Sequence, residues 1–262
     1  MYPVLAKSYK NRYPFKLGTT SFIYPDDYVP NVKLLGPYLD DIELILFESK
    51  PASLPQPSTV NELKDLACNF DLTYSIHLPI DISIADPQPS RRKQAVDTLA
   101  HIVALLSPLP ADIYCLHIPY DGSFWGKEKL AAWQNVVRDS LSRLLNSGLD
   151  RNLLVVENLD YPFTWLDGVL SDLNLHVCLD LGHLIAHGGN VSEHFKTYGS
   201  RTRALHVHGV AAGRDHLALD RSSRTYLSDV LWILNRFTGS VCLEVFSYHD
   251  LLASLQFLQR HL

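Results

Sequence analysis

Eight short apolar runs, each bounded by turn residues and followed by a segment of helical period, recur along this chain and constrain its fold more than any other feature. The runs are Lys16–Phe22, Ile42–Glu48, Leu72–His77, Asp112–Ile118, Leu153–Glu157, Leu175–Asp180, Arg203–His208 and Ser240–Phe246. Their β-branched and aromatic content marks them as strands. Helical spacing is clearest at Ser58–Phe70, where Thr59 and Glu62 are spaced as a capping box, and at Arg91–Leu106, Lys127–Asn146, Arg224–Phe237 and His249–His261. Weaker patterns cover Pro30–Leu39, Thr164–Leu173 and Val191–Tyr198. Strict alternation of this kind calls for parallel strands with right-handed crossovers, and eight such units close on themselves as a barrel. The length of 262 residues suits one such barrel, whose usual size is roughly 250. We therefore predict an α/β fold, a single-domain (β/α)8 barrel over residues 16–262 preceded by an extension at 1–15.

The rival architecture, an open dinucleotide-binding sheet, needs a Gly-x-Gly-x-x-Gly turn after the first strand, and none is present. A formal charge of −5, with no basic run longer than Arg91-Arg92-Lys93, argues against a nucleic-acid partner, which is held through its phosphates. Cys68, Cys115, Cys178 and Cys242 form no Cys-x-x-Cys pair, and since three of the four lie inside predicted strands they read as small buried apolar residues of a cytoplasmic, reducing setting. Neither a secretion signal nor an apolar stretch of about 20 residues is found, so no membrane partner is expected. A small-molecule substrate is expected, and homo-oligomerisation is left open.

Chemistry is concentrated at the strand ends. His77 closes YSIHLP, His117 YCLHIP, Glu157 LVVENLD, His206 and His208 ALHVHGV, and Glu244 CLEVF, while Asp180 and His183 stand in CLDLGHL. A barrel gathers the C-terminal ends of its strands at one mouth, and buried carboxylates there need compensation, for which a metal ion is one common means. Strand pleating turns His206 and His208 to the same side. Asp180 and His183 are separated by a strand-to-loop turn in which Gly182 permits a tight bend. After the seventh strand, Arg214, Asp215 and His216 follow, and the guanidinium of Arg214 suits an anionic oxygen. The loops also carry aromatic rings suited to stacking on a ligand: Phe22 and Tyr24, then Tyr120, Phe124 and Trp125, then Tyr161, Phe163 and Trp165, and finally Phe246 and Tyr248.

The order of two histidines, a glutamate, Asp-x-x-His, a histidine, a loop histidine and a last glutamate resembles the xylose isomerase-like barrel superfamily, which includes apurinic-site endonucleases and sugar isomerases and epimerases. The segments LGTTSFIYPDDYVPNV, DDIELILFES, ENLDYPF, CLDLGHLIAHG and HVHGVAAGRDHLAL are most similar to its cobamide-remodelling phosphodiesterases. That resemblance implies hydrolysis of the nucleotide-loop phosphodiester of a cobamide, giving cobinamide phosphate and the lower-ligand nucleoside. It implies metal ligands at His77, His117, Glu157, Asp180, His183, His206, His216 and Glu244. The endonuclease branch has Asp-x-His in the seventh loop, whereas here Arg214 takes the acidic position and Asp215 adjoins His216. One or two divalent ions, zinc before manganese, are expected in place of three.

Within this reading Glu157 and Glu244 are catalytic, orienting or deprotonating a water, and Arg214 stabilises charge on the phosphate. Tyr24, Tyr120, Phe124, Trp125, Tyr161, Phe163, His208 and Asp215 are expected to contact substrate. The alternatives are a sugar isomerase or epimerase, using Glu157, Asp180, His206 and Glu244 around one ion, and a non-catalytic corrinoid-binding protein.

Overall fold

A computed structural model describes residues 2–122, 126 and 129–262. Eight parallel strands form a closed barrel: β1 (Lys16–Thr20), β2 (Asp41–Ile45), β3 (Thr73–His77), β4 (Ala111–Leu116), β5 (Leu154–Glu157), β6 (His176–Asp180), β7 (Thr202–Val207) and β10 (Ser240–Leu243). Each pairs with its sequence neighbour in the barrel, and β1 closes the ring against β10. Each strand falls on one of the runs read from the sequence; β2, β4 and β7 start one residue earlier, at Asp41, Ala111 and Thr202. Several of the runs continue past the ladder, and the extra residues, among them Phe22, Phe47, Ile118 and Phe246, begin the loops of the mouth.

The helices are α1 (Tyr28–Leu35), α2 (Pro57–Phe70), α3 (Pro89–Leu106), α4 (Leu130–Asn146), α5 (Asp167–Asp172), α6 (Leu181–Ala186), α7 (Val191–Tyr198), α8 (Arg224–Leu234) and α9 (Tyr248–His261). The first residues of the pattern expected at Lys127–Asn146, Lys127 and Glu128, lie outside the described residues. The apolar faces of the helices pack on the outward side chains of the strands in one large core that includes Leu17, Ile42, Tyr74, Trp133, Val156 and Leu205. A separate small cluster of Ile113, Cys115, Val155, Cys178 and Ala204 fills part of the barrel interior.

Three local readings need correction. Helix α2 begins at Pro57, not at a Thr59 cap, because proline is preorganised for the first helical position and has no N–H to leave unpaired. Glu62 accordingly accepts from Lys33 Nζ at 2.6 Å and caps nothing. Helix α6 follows β6 directly where a loop was expected, and β8 (Gly209–Ala211) with β9 (Arg214–Leu217) forms an antiparallel hairpin beyond β7. Residues 2–15 lack helix and strand, yet Leu5, Tyr9 and Phe15 are buried against the barrel. Among the described residues no helix is long and apolar enough to cross a membrane.

Candidate metal centre

Inward alternation along β5, β6 and β7, continued one residue past the end of β10, brings one polar side chain from each to a common centre. The ladders set Asp180 beside His206 and His206 beside Cys242, two residues before Glu244. One donor atom each from Glu157, Asp180, His206 and Glu244 lies within 4.8 Å of the others. His206 Nδ1 stands 3.2 Å from Glu244 Oε2, 3.4 Å from Glu157 Oε2 and 3.9 Å from Asp180 Oδ2. Two further groups of acids and histidines adjoin this one, His77, His117 and Glu157 on one side and His183, His208 and His216 on the other, and a group of Cys115 and Cys178 shares Glu157 and His206 with it. His117 Nε2 is 3.1 Å from Glu157 Oε2 and His77 Nε2 is 3.4 Å from it. His183 Nδ1 links the groups, 3.1 Å from Asp180 Oδ2 and 3.5 Å from Glu157 Oε1.

Asp180 does two jobs. As the N-cap of α6 its Oδ1 accepts the His183 N–H at 2.7 Å, so the carboxylate that ends β6 also starts the helix that presents His183. This Asp-x-x-His pattern ahead of Leu184 and Ile185 is the sequence signal for α6. Asn158 fixes the same residue, accepting the Asp180 N–H at 2.8 Å and donating to its carbonyl at 3.1 Å. Gly182 acts differently from the expected bend. Its φ is not in the left-handed region, and it must be glycine because the His208 ring lies over its Cα, where a Cβ would overlap Cε1, Nε2 and Nδ1.

The charges hold one another. Burial pulls the His77 and His183 rings down, but Glu157 above all for the first and Asp180 for the second overcome it, leaving them at about 9 and about 10. Burial pushes Glu157 up, yet the His117 and His206 rings hold it well below the carboxylate range, and His208 and His183 do the same for Asp180. Without an ion this arrangement is incomplete. Among the described residues, the buried side-chain atoms lacking a hydrogen bond are Glu43 Oε1 and Oε2, Glu157 Oε1, Asp180 Oδ2, both His206 nitrogens, His208 Nε2 and Glu244 Oε2, together with His176 Nδ1 elsewhere. A cation with bonds of about 2.0–2.2 Å to nitrogen and oxygen fits such a donor set after small side-chain rotations.

The expected ligands are thus brought together, His216 included. Its placement uses a left-handed backbone at φ 50°, in the β8–β9 hairpin, and its Nδ1 lies 3.0 Å from the Glu244 carbonyl. His208, expected to touch substrate, is fully buried, with Nδ1 3.0 Å from the His216 backbone nitrogen and Nε2 3.2 Å from Asp180 Oδ1. It belongs with His183 and His216 to one group of candidate donors.

Other expected contacts sit apart from the cluster. Arg214 and Asp215 are exposed on the hairpin. Tyr24 is buried and donates to the Pro3 carbonyl, Tyr161 is buried and donates to the Ile118 carbonyl, and Phe163 packs edge-on against Tyr198. Tyr120 is half-buried among Trp133, Tyr161 and Trp165. Phe124 and Trp125 lie outside the described residues. Exposed apolar side chains instead ring the mouth: Phe47 (43% exposed), Ile80 (52%), Ile185 (36%) and Phe246 (39%). Phe246 stands 5.2 Å from the His216 ring and 6.4 Å from Phe47, which contacts Phe22 at 4.9 Å. Sequence reasoning missed Phe47 and the buried Glu43, because neither is a polar residue at the end of its apolar run.

Solved structures similar to this one include a D-tagatose 3-epimerase-like protein, with a TM-score of 0.80 and 18% identity over 94% of this chain and 97% of that one. D-psicose 3-epimerase from Clostridium cellulolyticum has a TM-score of 0.74 and 17% identity over 94% and 99%. Endonuclease IV from Thermus thermophilus has a TM-score of 0.69 and 17% identity over 94% and 99%. At these identities the likeness shows the fold. No curated protein matches the sequence. Residues 32–261 match the family model described as the xylose isomerase-like TIM barrel, and the chain belongs to that family.

Proposed function

We propose that this protein is a metal-dependent phosphodiesterase that hydrolyses the nucleotide-loop phosphodiester of a cobamide, releasing the lower-ligand nucleoside and leaving cobinamide phosphate. The observation that carries the reading is the pair of histidine groups flanking the central carboxylates, His77–His117–Glu157 and His183–His208–His216. Proton exchange at a sugar carbon needs only the central set of Glu157, Asp180, His206 and Glu244. The nitrogen-rich flanks suit zinc, and a divalent ion held here supplies Lewis acidity and a nucleophile at neutral pH.

The protein's own groups then divide the work. Glu157, fully buried and ionised, holds the His77, His117 and His183 rings in place. Glu244, at 6% exposure more open than Glu157 or Asp180, is the carboxylate that accepts a proton from the attacking water. Arg214, two residues before His216 on the hairpin, is assigned to the phosphate oxygens. The exposed ring of Phe47, Ile80, Ile185 and Phe246 suits a ligand face larger and less polar than a sugar.

The test is incubation of chelator-stripped and metal-restored protein with several cobamides, with products read by mass spectrometry. Cobinamide phosphate forming only after restoration is expected; full activity in verified metal-free protein refutes the mechanism. A sugar epimerase is the second reading, favoured by the fact that the central four-residue group is complete without the flanks. It gains if His77→Ala, His117→Ala and His216→Ala each leave metal content and activity on a ketose intact.

A further inference from the structure

Glu43, on β2, reaches across the barrel interior to β7 and is fully buried. Neither of its oxygens has a hydrogen bond. Its Oε1 stands 3.0 Å from His206 Nε2, while the other nitrogen of that ring faces Glu157, Asp180 and Glu244. At that separation only alignment keeps the pair from bonding, and a modest rotation of the ring supplies it. A carboxylate kept from water is costly unless a partner compensates it, and here His206 is that partner, whereas leucine or glutamine would fill the space without the need for one.

We propose that Glu43 is the positioning residue of the metal centre: its carboxylate accepts a hydrogen bond from His206 Nε2–H, so that Nδ1 keeps its lone pair and points toward the ion. Two consequences follow from the geometry. First, Glu43 selects the tautomer, because a ring with its proton on Nε2 offers only Nδ1 for coordination. Second, the negative charge behind the ring raises the basicity of the coordinating nitrogen. Glu43 itself is absent from every group of candidate ligand atoms among the described residues, so its action runs through His206.

The inference rests on the metal reading above but not on the substrate, and its test contains no substrate. Full-length protein, stripped with chelator, is titrated with Mn2+ alone by calorimetry as wild type, Glu43→Gln and Glu43→Leu, and the thermal midpoint of each metal-free form is measured. The expected result is a Kd weakened roughly 10- to 100-fold in Glu43→Gln and further in Glu43→Leu, with metal-free midpoints at or above that of wild type. A merely structural role would move affinity and metal-free stability downward together. That outcome, an affinity within about twofold of wild type, or failure of both variants to fold would overturn the proposal. Wild-type protein that binds no Mn2+ would overturn it along with the metal reading, whereas an inactive protein with the expected affinity order would overturn only the phosphodiesterase.

Discussion

Replacing Gly182 with alanine separates a clash at the site from ordinary helix energetics. Gly182 lies in the short helix α6, where alanine is intrinsically favoured over glycine by about 0.5–1 kcal/mol. Opposing this, the new methyl would overlap three atoms of the His208 ring. That ring cannot retreat freely, because it is fully buried and lies between the His216 N–H at 3.0 Å and Asp180 Oδ1 at 3.2 Å. Overpacking of this kind costs about 1–3 kcal/mol, or roughly 2–4 °C of melting temperature for each kcal/mol in a chain of this size. The net expectation is a loss of up to about 2.5 kcal/mol, accompanied by weaker metal binding as His208 and then His216 are displaced. Gly168 in α5 is the control, since a Cβ there meets nothing nearer than Arg138 Nη2 at 4.0 Å. Gly168→Ala should therefore be neutral or stabilising. Urea unfolding and metal titration of both variants check the pair. A Gly182→Ala protein as stable as Gly168→Ala, with unchanged metal affinity, would refute the packing argument.

Asp41 should impose a pH dependence on stability that does not involve the metal. Burial raises its carboxyl from 3.8 to about 7 despite hydrogen bonds from Thr73 Oγ1 at 2.7 Å and the Ser75 N–H at 3.1 Å. The unfolded chain then releases this proton at lower pH than the folded one. The contribution is complete below pH about 4 and is lost as pH rises through about 7, amounting to roughly 4 kcal/mol. Asp41→Asn should flatten the stability curve over that window in urea unfolding; an unchanged slope would count against it. Phe47→Ala and Phe246→Ala, both exposed at the mouth, should leave stability within about 0.5 kcal/mol of wild type. Under the proposed phosphodiesterase function they should raise KM for a cobamide severalfold while leaving kinetics on a small aryl phosphodiester nearly unchanged, and equal effects on both substrates would argue against the rim.

The barrel was legible because its signal is local and repeated. A strand buried on both faces must be apolar along its length, so each of the eight runs announced itself, and a carboxylate or histidine at the end of such a run needed a reason. Residues whose roles depend on what lies opposite were not legible in the same way. Glu43 sits between Ile42 and Leu44 and meets His206 only because β2 and β7 face each other across the barrel. His208 has the same spacing and chemistry as His206, yet the β8–β9 hairpin folds His216 over it and engages its Nδ1. Aromatic loops were visible, but whether a ring stacks on a ligand or on its neighbours depends on packing, and Tyr161 and Phe163 turned inward while Phe47 and Phe246 remained exposed.

Periodicity and the cost of burying charge were therefore enough to read, from residue order alone, the alternation of strands and helices, the closure into one barrel and the set of acids and histidines at its mouth. The partition of that set into three adjoining donor groups, the double use of Asp180 as candidate ligand and helix cap, and the need for glycine at position 182 came from the folded molecule. Those features depend on ångström-scale distances between strands far apart in the chain, which the register of the closed ladder and the packing of α6 and the hairpin impose.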